Sequence, residues 1–131
     1  MKTRLLAVML IVLSISVLSF AQEVAETSVE DIQICTSIDD RTPVGSGTSF
    51  PGDVEKLYCF TKIMSSQDEG SVFHVWLHND RVMARIELPL KAKTWRTWSS
   101  KKILPSWTGK WRVDVESIHG FLLASKEFEI E

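Results

Sequence analysis

Tyrosine is nearly missing from this 131-residue chain, and cysteine occurs only twice. Cys35 and Cys59 stand 24 positions apart, so there is no close pair of the kind that redox motifs use. No stretch of useful length repeats its apolar residues at the helical period, which excludes a helix bundle. The glycines do not make a strand-to-helix phosphate loop, and Asp39, Asp40 and Asp53 lack calcium-loop spacing. Ser99, Ser100 and Ser106 sit in no nucleophile elbow, and no histidine is placed by sequence to activate them. Catalysis, metal binding and cofactor binding therefore have no local signature, and the expectation is a non-enzyme without a cofactor.

What is present begins with a leader. Lys2 and Arg4 precede an uncharged run from Leu5 to Leu18 and the small-residue end Ser19-Phe20-Ala21, the pattern of a signal peptide over 1–21. Fourteen helical residues cover only about 21 Å of a hydrocarbon layer of about 30 Å. Cleavage after Ala21 is thus expected over a retained anchor, with no further span, and places the protein in a periplasm or outside the cell. In such a compartment Cys35 and Cys59 are expected to form one disulfide, the alternative being two buried free thiols. Removing Lys2 and Arg4 leaves 13 of the 15 basic residues against 17 acidic ones, a net charge of −4, which argues against a nucleic-acid binder.

After an acidic, flexible lead-in at 22–31, residues 32–131 read as one domain of short alternating segments divided by turns. The expectation is an all-β, antiparallel immunoglobulin-like sandwich of about seven strands, with a small barrel as the competing architecture. The first strand spans Ile32 to Ile38, the glycine- and proline-rich stretch from Asp39 to Asp53 is loop, and Lys56 to Met64 is the second strand. A turn at Asn79-Asp80 pairs Leu77 with Val82, Val75 with Ala84 and Phe73 with Ile86 inside, leaving His74, Trp76, His78 and Arg85 outside. A turn at His119-Gly120 pairs Trp111 with Phe128 and Arg112 with Glu127, and sets Lys126 opposite Val113, where a bulge or a snorkelling stem is needed.

Five tryptophans stand out, four of them between positions 95 and 111. The segment Lys91–Arg112 carries seven basic and no acidic residues. Lysine and arginine attract acidic groups while indole faces stack on rings, so Trp98, Trp107, Arg96, Lys101 and Lys102 form the first candidate site. Trp95 and Trp98 have opposite parity, so a strand exposes one of them, and Trp111 belongs to the core. The outward face His74, Trp76, His78 and Arg85 is the second candidate, a surface for a sugar or a protein. Its histidines lie about 13 Å apart on a strand, too far to share a metal.

Cys35, Asp40-Arg41-x-Pro43, Tyr58-Cys59-Phe60-Thr61, His74-x-Trp76, Trp95-Arg96-Thr97-Trp98-Ser99-x-Lys101 and Gly109-x-Trp111-Arg112-Val113-x-Val115 together resemble domain-of-unknown-function family 2914. The resemblance runs from Cys35 to Ile130. It implies a bacterial, exported or membrane-tethered β-rich module and brings no activity with it. The functional expectation is an exported module that binds a carbohydrate or acidic envelope component through the Trp/Lys/Arg surface. A periplasmic protein-interaction module using the face around Trp76 is the alternative.

Overall fold

The computed structural model describes residues 26–131; the expected signal peptide over 1–21 and the first part of the expected lead-in lie outside the described residues. Ten strands follow in order: β1 Thr27–Cys35, β2 Ser37–Asp39, β3 Thr42–Val44, β4 Ser49–Phe50, β5 Lys56–Ser65, β6 Gly70–His78, β7 Arg81–Leu90, β8 Thr94–Lys102, β9 Gly109–Ser117 and β10 Leu122–Ile130. Seven are long, as expected, and three are short: β3 and β4 lie inside the stretch read as loop, while β2 takes the end of the expected first strand and the first residue of that loop.

The long strands make two sheets, β1-β5-β8 and β4-β10-β9-β6-β7, and β2-β3 pair separately. Neither sheet closes on itself, so the fold is a β-sandwich and not a barrel. The strand orders are those of an immunoglobulin-like sandwich, with β6, β9 and β10 as the C, F and G strands and β7 added at the C edge. Inward side chains from both sheets, among them Ile34, Leu57, Trp76, Trp111 and Val113, form the main buried cluster, and Ile63, Val72, Leu90 and Val115 form a second one.

Four expectations need correction here. The lead-in is not flexible where it is described, because β1 begins at Thr27, five residues before Ile32, and pairs Thr27 with Ser65. Its ladder continues past a bulge at Glu30 and stops at Cys35, so Ile38 belongs to a separate strand. The stretch after Asp39 is not free of regular structure. Asp40 and Arg41 both take positive φ, 47° and 59°, giving the mirror-image two-residue turn that suits a twisted hairpin, and Pro43 is tolerated because β3 is an edge strand.

The fourth correction concerns the cysteines, which are both free and both buried. Cys59 stands opposite Ile34 and Cys35 opposite Tyr58, so alternation directs the two thiols to opposite faces of one sheet. Across the sandwich, β9 offers Val113 and Val115 where immunoglobulin domains place the second half of their inter-sheet bridge. Burial, reinforced by the nearby Cys35, pushes the Cys59 thiol far up, which suppresses the reactive thiolate. Purified protein, unfolded without reductant and alkylated, is expected to take up two labels per chain, and native protein none at pH 8. A mass two hydrogens short, with no label after unfolding, would restore the bridge.

Candidate functional site

Residues of β5 alternate strictly between the two sides of their sheet. Leu57, Cys59, Thr61 and Ile63 are buried inward, which leaves Lys56, Tyr58, Phe60 and Lys62 on the outer face. The register pairs these with Lys102, Ser100, Trp98 and Arg96 of β8. Sequence reasoning therefore found half of this surface. Arg96, Trp98 and Lys102 lie on one line along β8, about 20 Å long, while Lys56, Tyr58 and Lys62 come from a partner strand that only the register reveals.

The β2–β3 hairpin packs over one end of this face. Its turn residue Arg41 lays the guanidinium 4.9 Å from the Trp95 ring centre, and its Nη2 donates to the main-chain oxygen of Arg96 at 3.5 Å. Trp95 and Trp98 are both half-buried, so the expectation that only one would reach solvent is too strict for an edge strand. Arg41, Trp95, Arg96 and Trp98, with Lys91, line an open groove of about 220 Å³, and Arg41 and Arg96 also border a larger one of about 510 Å³ beside the hairpin. Among the described residues the ion pairs to carboxylates use Lys62, Arg85 and Arg112, leaving Arg41, Arg96, Lys56 and Lys102 without one. Lys56 directly faces Lys102, a like-charge pairing that costs stability unless an anion sits between them.

Lys101 and Trp107 are not part of that surface. Lys101 has the inward parity of β8 and holds its ammonium 4.9 Å from the Trp107 ring. Trp107 packs on the main core from the β8–β9 loop, and its carbonyl accepts the Trp111 indole N–H at 2.9 Å. Those two residues therefore close one end of the sandwich and do not extend the groove.

The second expected face is not formed. Trp76 and His74 are 0% exposed; both point between the sheets, and Arg85 stands on the opposite side, 4.2 Å over the Phe73 ring and paired with Glu116. His78 stacks on Trp111 at 4.6 Å. The cause is twofold. Met83 is an extra residue in β7, so that Trp76 pairs with Ala84 and Val75 with Arg85, and β6 is apolar on both faces, so its alternation gave the wrong side.

Inside the sandwich, His74 joins a closed hydrogen-bond chain. The Thr61 hydroxyl donates to the Thr97 carbonyl at 3.0 Å, so Thr61 Oγ1 accepts from His74 Nε2 at 3.1 Å. Ser99 Oγ accepts the Trp76 indole N–H at 3.0 Å and donates to His74 Nδ1 at 2.7 Å. Donor roles at Thr61 and Ser99 thus fix one tautomer of the neutral ring. Burial holds His74 down at about 4. A histidine does stand against Ser99, contrary to the sequence expectation, but with Ser99 only 5% exposed the pair ties the two sheets together and has no route to a substrate.

Residues 69–130 match the family described as protein of unknown function DUF2914. The resemblance to that family is thus found, over the stretch that contains β6 to β10, including Trp95–Lys101. Cys35, Arg41 and the Tyr58–Thr61 motif lie outside the matched residues. No curated protein matches the chain. Among solved structures, the chain is similar to a β-glucosidase from Erythrobacter marinus at 7% identity and a TM-score of 0.54, over 82% of this chain and 16% of that one. A β-glucosidase from Kluyveromyces marxianus gives 13% identity and a TM-score of 0.46, over 82% and 14%. This chain spans less than a fifth of either enzyme, and the likeness to the Erythrobacter enzyme is one of fold alone.

Proposed function

We propose that this protein is a non-catalytic, exported binding module that holds an acidic envelope glycan or similar acidic polymer along β8. The observation that carries the reading is the outward line Arg96, Trp98 and Lys102, flanked by Arg41 and Lys56, with no carboxylate partner for any of these cations among the described residues. A linear polyanion would neutralise the opposed lysines at one end, meet two guanidinium groups at the other, and stack a ring on the exposed part of Trp98 between them. Export rests on the leader composition.

Tryptophan fluorescence during titration with polygalacturonate, and with neutral dextran as control, tests the reading. Binding of the acidic polymer alone is expected, weakening between 50 and 200 mM salt because the contacts are exposed and screened. Arg96→Ala and Trp98→Ala should each weaken it at least tenfold, and Lys101→Ala should leave it within twofold. Equal affinity in all variants, or no binding at all, overturns the proposal.

A further inference from the structure

At the arginine end of the β8 line the surface also carries acid. The groove of about 510 Å³ beside the β2–β3 hairpin is lined by Arg41 and Arg96, and also by Lys62 and two carboxylates, Glu30 and Asp31. Asp31, Lys62 and Arg96 form one row across β1, β5 and β8, so the backbones of the first and last stand about 10 Å apart at ordinary strand spacing. Opposite charges that face each other on neighbouring strands attract, which would spend Asp31 on Lys62. The bulge at Glu30 diverts that contact. As the extra residue of β1 it brings a second carboxylate to the same groove, and Lys62 gives its ammonium to Glu30 at 3.3 Å.

Asp31 is left half-buried and forms no ion pair among the described residues. Its carboxylate is nevertheless held in place. Ser46 Oγ donates to Gln33 Oε1 at 2.7 Å, which turns the Gln33 amide so that Nε2 donates to Asp31 Oδ2 at 2.7 Å. An ionised carboxylate accepts about four hydrogen bonds, so one amide leaves most of its capacity unused. With Glu30 and Lys62 cancelling each other, the unspent charges of the groove are two guanidinium groups and one carboxylate. A uniformly anionic chain answers the arginines and is repelled by Asp31, whereas a chain with a protonated amine beside its acid group answers all three. We infer that the polymer held along β8, the reading on which this inference rests, is a zwitterionic glycan of amino sugars alternating with acidic sugars, Asp31 receiving the amine and Arg41 and Arg96 the acid. Asp31 is then the residue that sets specificity, while the outward line of cations supplies general attraction.

Hyaluronan and its de-N-acetylated form test this, because they share their carboxylates and differ only in whether the neighbouring sugar carries an acetamide or an ammonium. Both are titrated into the full chain at about pH 6, where the amines are charged, and in low salt, with tryptophan fluorescence as the readout. The wild-type protein is expected to bind the de-N-acetylated polymer about fivefold tighter, the gain of one half-buried charge-assisted contact. A plain row of cations gives the reverse order, since the amines lower the net charge of the polymer. In Asp31→Asn the order should invert, and hyaluronan should gain affinity as the repulsion goes; a ratio taken within one protein is not moved by a change in stability. Equal affinities or a preference for hyaluronan in the wild type overturn the inference, and so does a preference for the amine form that survives Asp31→Asn. Hyaluronan bound without that preference leaves the polyanion reading standing, whereas failure of both polymers to bind overturns the two together.

Discussion

Acidification from pH 7 to pH 4 is expected to remove about 3 kcal/mol of stability through His74 alone. In the unfolded chain this imidazole titrates near its ordinary value of about 6.5, while in the folded protein burial holds it at about 4. Between those values the unfolded state binds a proton that the folded state refuses, so stability rises with pH across the window. The contribution is complete above about pH 6.5 and is lost progressively as pH falls towards 4; a difference of about 2.5 pKa units at about 1.36 kcal/mol each gives the figure. The groups bonded to the ring are Thr61 and Ser99, neither of which is a carboxylate that could stabilise a charged imidazole. Urea denaturation at pH 7, 5.5 and 4 measures the effect, with His74→Gln as the comparison because the carboxylates elsewhere titrate alike in both. The variant should lose most of the slope between pH 6.5 and 4. Parallel slopes in the two proteins would mean that His74 is solvated.

Trp76→Ala is expected to cost about 3–5 kcal/mol, the range for removing a fully buried large aromatic side chain. The indole is wholly enclosed, edge-on to Phe128 at 6.2 Å, and its N–H is spent on Ser99. Since small domains hold only about 5–15 kcal/mol in total, this variant would sit near the edge of folding at 25 °C. Trp76→Phe separates the two contributions, keeping most of the ring and losing the N–H donor, for a smaller cost of about 1–3 kcal/mol. Combined with Ser99→Ala, it should lose less than the sum of the single changes, because both act on one hydrogen-bond chain. A Trp76→Ala protein within 1 kcal/mol of wild type in a denaturant titration would put the indole on the surface after all.

Both residues mark the limit of what was legible in the sequence. The β9–β10 hairpin was read correctly, with Trp111 opposite Phe128, Arg112 opposite Glu127 and even Lys126 opposite Val113, because its strands are apolar on one side only. No bulge was needed at Lys126; its half-buried stem runs out beside Gln33 and Thr48, and the irregularity falls at Leu123 instead. In β6 the turn at Asn79-Asp80 was right and the side was wrong. Val75 and Leu77 are buried as well as Val72 and Trp76, so hydrophobicity carries no phase, and the polarity of His74 pointed outward although partners from the other sheet satisfy it. A stretch such as Val-Phe-His-Val-Trp-Leu, apolar at both parities apart from His74, is itself the sign of a strand covered on both faces.

The candidate site was half legible for a related reason. Charge and aromatic content singled out Arg96, Trp98 and Lys102 within one segment, but not Lys56 and Tyr58, which join them through strand pairing, nor Arg41, which arrives on a turn that ordinary φ preferences disfavour for a side chain of its kind. Trp107 and Lys101 were drawn in by nearness along the chain alone.

The strand β10 is paired on one side with β9 and on the other, in parallel, with β4, where Glu129 N–H donates to Thr48 and Glu131 N–H to Phe50. Contacts of this sequence separation set the pace of folding, and all-β sandwiches accordingly fold in milliseconds to seconds. Without residues 122–130 the ladders of both β4 and β9 stay open and the core lacks Phe128 and Ile130. Closure of the sandwich therefore waits on its last strand in chain order, so the two ladders and the end of the core form together in one late step.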